Sequence, residues 1–231
     1  MKEIIDILVI LLAAITSASL QLGTGTLLML YHESLGRKIP QKTRRITWGY
    51  IFGAFLFSTL VLATTALIIL VCNGNPLGEN GLIVLVSLAI VVALLVLLFY
   101  YRKGRNTMLW VPDWIAKYLK KRAAKADSSA EAVALGIMTA FGELPFAVVL
   151  TIIAANSLLS LPRTLIIIAL AGYAMIVIMP LIITKMVIKN GKNLVAIQKW
   201  RIENKMFFRV FTGVCYLVMA AFLVAFKIMG V

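Results

Sequence analysis

Nineteen consecutive residues, Leu82 to Tyr100, carry no charge, and this run constrains the chain more than any other feature. A helix rises about 1.5 Å per residue, so roughly 20 apolar residues cross the ~30 Å hydrocarbon core of a bilayer. A run of that length reads as a membrane span. With it at about 81–101, five further stretches read the same way: about 4–31, 46–72, 132–155, 164–188 and 206–228. Only 14% of the residues are charged and 62% are hydrophobic, whereas soluble domains carry about a quarter charged residues. The expected fold is an all-α integral membrane protein of six transmembrane helices, a single membrane domain over residues 1–231.

The net charge of +14 would fit a nucleic-acid partner, but its placement argues otherwise. Twenty of the 23 Lys and Arg residues fall in 37–45, 102–125 and 185–209, between alternate apolar runs. Lys2, Arg163 and Lys227 are the remainder. Cytoplasmic segments carry the Lys/Arg excess, so both termini are expected outside. The expected partners are the bilayer itself and anionic lipid headgroups at the cytoplasmic face, with no nucleic acid. The start, Met1 to Asp6, has one base and two acids and reads as a retained first helix rather than a signal peptide.

The middle basic segment contains Pro112-Asp113, which can open a helix. Trp114, Ile115, Tyr118 and Leu119 would share one face, and Lys117, Lys120 and Lys121 the other. Either a helix lying in the interface or a solvated loop helix fits this pattern.

Spans one to three and four to six divide the chain into halves at 1–102 and 131–231, joined by an amphipathic linker at 103–130. Each half crosses an odd number of times, so the second lies inverted relative to the first. Transporters built this way bind at the midplane between halves. The first helix of each half is expected to be broken. Span one carries Gln21, Gly23, Thr24, Gly25 and Thr26 where leucine would be usual, and span four carries Thr139 and Gly142-Glu143-Leu144-Pro145. Pro145 lacks an N–H and crowds the carbonyl of Phe141. Backbone groups freed at this depth must meet protein or a water-filled cavity. Glu143 is the carboxylate in the middle of a span, a position costly enough to imply function by default. Gln21, Gly23, Thr24, Gly25, Thr26, Thr139, Glu143 and Pro145 are the candidate substrate-binding residues. The competing reading makes Glu143 a neutral clasp, hydrogen-bonded to Gln21 or Thr139. Gly49 and Gly53 form a GxxxG expected to pack span two closely, and Pro180 should kink span five. Cys72 and Cys215 lie at different depths, which argues against a disulfide.

The 3+3 layout, the small-residue breaks, the turn Gly36-Arg37-Lys38 and the stretch Leu135 to Phe146 resemble the LysE-type exporter superfamily. That stretch, with its Glu-Leu-Pro, is most similar to the fourth helix of CcdA-like and GAP-like members. The resemblance implies a multi-pass transporter of the prokaryotic plasma membrane. The thiol transporters of the group carry a cysteine beside proline in each broken helix, and this chain has none there. Its metal exporters carry several intramembrane acids or histidines. Here there is Glu143, and His32 lies at the cytoplasmic end of span one. The expected function is export of a small solute or ion, without cofactor or metal. A membrane scaffold or assembly factor is the alternative, and thiol or electron transfer a third. No nucleophile–base pair, ligand cluster or phosphate loop points to an enzyme. The sequence leaves room for a homodimer.

Overall fold

The computed structural model describes residues 2–20, 22–35, 40–99, 118, 121–123, 128–188 and 194–230. Its elements are α1 (Lys2–Ala18), α2 (Leu22–Leu35), α3 (Pro40–Asn73), α4 (Glu79–Phe99), α5 (Ser129–Leu159), α6 (Arg163–Val187), α7 (Leu194–Glu203) and α8 (Lys205–Leu223). A π-helical turn, Val224–Ile228, continues α8. No strand occurs among the described residues.

Five of these helices, α3 to α6 and α8 with its π turn, are long and apolar enough to cross a membrane. α1 and α2 pass the same test only as a pair, bent by 47° where they meet. The surfaces of these helices are apolar outward as well as inward. Val71, Leu98, Ile167 and Ile168 are each more than 60% exposed. An apolar belt of that kind is untenable in water and suits lipid contact. The chain is a multi-pass helical membrane protein.

Two contacts orient the bundle. Lys227 on the π turn forms a short ion pair with Asp6 on α1, so the two ends of the chain lie together. At the opposite end, the Lys185 ammonium on α6 sits 2.9 Å from the centroid of the Trp48 ring on α3. These are the terminal end and the basic end of the bundle.

The tightest helix crossing joins α3 and α5 and is made by glycine. A Cβ on Gly53 would overlap the Val133 carbonyl, one on Gly136 would overlap the Tyr50 carbonyl, and one on Gly49 would come within 2.9 Å of the Ser129 carbonyl. In lipid, backbones associate through this kind of small-residue contact. The close-packing role expected of Gly49 and Gly53 is what the structure has.

α5 starts from a capping box. The Ser128 hydroxyl accepts from the Glu131 N–H at 3.2 Å, and Glu131 accepts from the Ser128 N–H at 3.3 Å. The break expected in this span does not occur. α5 runs without interruption from Ser129 to Leu159 with Pro145 inside it. A proline removes one helical bond, but neighbours can hold both flanking turns in place, and α5 is packed along α3 and α1. The first span is interrupted, between Ala18 and Leu22, just before the glycines expected to break it: Gly23 and Gly25 lie inside α2. Gln21 and most of the linker, including Trp114, Ile115, Lys117, Leu119 and Lys120, lie outside the described residues. Within the linker, the Arg122 Nε donates to the Tyr118 hydroxyl at 3.1 Å.

The buried apolar residues form two main clusters. One, toward the terminal end, includes Val9, Ala13, Leu62, Leu150 and Met219. The other, toward the basic end, includes Leu27, Ile46, Tyr50, Leu135 and Ile178. The depth between them is where α1 gives way to α2.

Candidate functional site

A helix start leaves its first N–H groups without intrahelical partners. α2 starts inside the bundle, so those groups need a partner from the protein. Glu143 of α5 supplies it: its Oε1 accepts from the Gly23 N–H at 2.9 Å. The Tyr50 hydroxyl of α3 donates to the Gly23 carbonyl, also at 2.9 Å. Gly23 is therefore gripped on both sides of its backbone. Gly142 lets α2 approach, since a Cβ there would come within 2.9 Å of Leu22 Cδ2.

Two small cavities meet at Glu143. The first, about 30 Å³, extends toward the basic end past Gly23, Thr24, Tyr50, Pro180 and Leu181. The second, about 40 Å³, extends toward the terminal end past Phe57, Val61, Thr151 and Tyr173. Ser17, Ser58 and Glu143 line both. Each is about the volume of one water molecule. Hydroxyls supply most of the polar lining. Ser17 Oγ and the Tyr173 hydroxyl are 3.2 Å apart, while Ser58 Oγ donates to the Ala54 carbonyl at 2.9 Å.

The structure brings together only part of the predicted set. Glu143, Gly23 and Thr24 line the first cavity. Thr24 Oγ1 is buried and has no hydrogen-bond partner among the described residues. Thr139 is not the partner of Glu143, because its hydroxyl back-bonds to the Leu135 carbonyl at 2.7 Å. Thr26 similarly donates to the Leu22 carbonyl at 3.1 Å. Neither lines these two cavities, and neither does Gly25 or Pro145. Gly25 instead faces α7: a Cβ on it would lie 3.3 Å from Arg201 Nη1. Pro145 is exposed, on a different side of α5 from the cavities. The Phe141 carbonyl still lacks a donor at Pro145, but neither residue lines the cavities, so no freed backbone reaches the site from α5.

Sequence reasoning missed Ser17, Tyr50, Ser58 and Tyr173 at the site. Only their convergence distinguishes these hydroxyls from the many others in the spans. It also placed Arg201 among the orientation charges, yet Arg201 is only 5% exposed and lies against α2. Among the described residues no group of three His, Cys, Asp or Glu side chains comes together. Cys72, exposed at the end of α3, and Cys215, half-buried in α8, are free thiols.

The Asp6–Lys227 pair was likewise missed. The Asp6 side chain is 4% exposed and that of Lys227 18%. Removing one partner of a buried pair strands the other charge, at a cost of about 3–5 kcal/mol. Lys227→Met is expected to destabilise by about 3 kcal/mol. Asp6→Asn should cost less, because a lysine stem can carry its ammonium to the interface. The double variant should recover most of the loss. Thermal unfolding of the four proteins in detergent checks this, and additive losses would show that the pair is not coupled.

Comparison with known protein families, with curated proteins and with solved structures finds no match.

Proposed function

We propose that this chain is a transporter that exports a small solute across the plasma membrane of a prokaryotic cell. α1 and α2 together count as the first of six spans, and the spans form two inverted three-helix repeats. Both termini lie outside and the basic segments face the cytoplasm, in keeping with the Lys/Arg distribution. The layout and the resemblance to LysE-type exporters support this reading together. The observation that carries it is Glu143, a carboxylate at a helix break with a cavity on each side. A purely packed bundle has no need of an ionisable group at that depth.

One observation favours the scaffold reading. The Glu143–Gly23 bond is a cross-helix clasp, and a clasp alone would hold α2 against α5 without any transport. The two readings differ in water access. Ser58 lines both cavities and suits a probe. In a background with Cys72→Ser and Cys215→Ser, Ser58→Cys is expected to react with a small membrane-impermeant thiol reagent, as cycling opens one cavity or the other. The same reagent should not reach a control cysteine at Leu150, which is fully buried. An unreactive Ser58→Cys in a folded protein would favour the scaffold.

A further inference from the structure

The N-terminus of α2 opens on the first cavity, and what surrounds it is suited to an electron-rich guest. Gly23 presents its N–H there, at present to Glu143 Oε1 at 2.9 Å. Thr24, the next residue, lines the same cavity, and its buried Oγ1 has no hydrogen-bond partner among the described residues. Thr24 as a whole is 5% exposed. α2 is 14 residues long, so its dipole places partial positive charge at this end. The Arg201 guanidinium lies beside Gly25, half a turn further along. A cationic group at this spot would face the positive end of a helix.

The groups around Glu143 that titrate or carry charge are few. α3 contributes Tyr50, α6 Tyr173, α7 Arg201 and α8 Tyr216, whose hydroxyl donates to the Phe146 carbonyl at 2.6 Å. From α1 and α2 come the hydroxyls of Ser17 and Thr24. None of these is a second acid.

We infer that the α2 N-terminus is an anion-binding site, that the Glu143 carboxylate is its tethered resident, and that an external anionic group takes its place when Glu143 is protonated. The inference rests on reading the cavities as a solute site. The exchange balances. A proton arriving from bulk solvent as hydronium through the adjoining cavity adds to the carboxylate, forming an O–H bond, cancelling its charge and leaving neutral water behind. The neutral carboxyl accepts from the Gly23 N–H more weakly than the carboxylate did, so an anion can displace it. The incoming anion then accepts from Gly23 and from the Thr24 hydroxyl. One proton and one negative charge enter together, so the site stays electrically unchanged. A volume of about 30 Å³ admits a monatomic anion or a single carboxylate head.

The test is thermal unfolding of the purified full-length protein at pH 5 and pH 8, with a bulky sulfonate at equal ionic strength as reference and chloride, formate or butyrate as probes. The wild type should be stabilised by a probe at pH 5, with an affinity at least about tenfold weaker at pH 8, where Glu143 holds the site. Glu143→Gln, whose amide is neutral and readily displaced, should bind about equally well at both pH values. Thr24→Val should weaken binding about tenfold, the loss of one hydrogen bond to a charged group. Binding of chloride and formate without butyrate identifies a free small anion. Binding of butyrate as well identifies the carboxylate of a larger solute. A folded Glu143→Gln that responds to no probe, or a wild type that responds equally at both pH values, overturns the site. Vesicles separate the two ideas. Anion binding without flux leaves the site standing and removes the transport reading. Flux indifferent to every probe keeps transport and removes the site.

Discussion

Gly136→Ala is expected to destabilise the protein by about 3 kcal/mol or more, at the upper end of the range for overpacking. The added methyl would occupy the space of the Tyr50 carbonyl oxygen, and the Ala54 amide nitrogen lies only 3.0 Å away. Neither obstacle is a side chain that can turn aside, so α3 and α5 must separate along the whole crossing. Gly53→Ala meets the Val133 carbonyl and should cost as much. The two losses should not add, because helices already pushed apart by one methyl make room for the other. Gly172→Ala is the control. Nothing lies within 4 Å of a Cβ at that position of α6, so the change should be neutral or stabilise by up to about 1 kcal/mol through helix propensity. Melting temperatures in one detergent rank the three. Equal stability for Gly136→Ala and Gly172→Ala would mean that the crossing is not close-packed in the membrane. The same separation would pull Tyr50 from Gly23, so loss of packing and loss of the site should appear together.

The spans were legible because length and apolarity are properties of the residues themselves. α3 begins a few residues before the expected 46 and α5 before the expected 132, since a span continues as helix into its flanks. The interruption after Ala18 was legible in the small and polar residues from Ser19 to Thr26. The matching expectation for α5 failed because proline breaks an isolated helix, whereas packing against α3 and α1 here outweighs one missing bond. The site was legible in its acid and not in its partners. Glu143 stands out as a carboxylate in an apolar span, but its partner is the backbone N–H of Gly23, 120 residues away, and every residue except proline has such a group. Thr16, Thr26, Thr47, Thr139 and Thr151 each donate to the carbonyl four residues back. A hydroxyl in a span is therefore a poor marker of function. Asp6 and Lys227 were hidden by 221 residues of separation.

Glu143→Gln is expected to assemble and melt within about 1 kcal/mol of the wild type, yet to lose more than about tenfold in flux. The amide oxygen can still accept from the Gly23 N–H, so the clasp between α5 and α2 survives. What it cannot do is change charge, and with it the ability to release Gly23 in one protonation state and hold it in the other. Glu143→Leu separates the remaining possibilities. Sequence alone would make it a stabilising change, because it removes a polar group from the membrane interior. The Gly23 N–H reverses that expectation: leucine leaves it without a partner at the start of α2, at about 1–3 kcal/mol. The leucine variant should therefore be both inactive and less stable, and the glutamine variant inactive but stable. Reconstituted vesicles loaded with a pH-sensitive dye and given an outward anion gradient report flux, while detergent melting reports the clasp. Wild-type flux from Glu143→Gln across a range of pH would show transport that does not depend on ionisation of Glu143 and reduce that residue to a structural clasp.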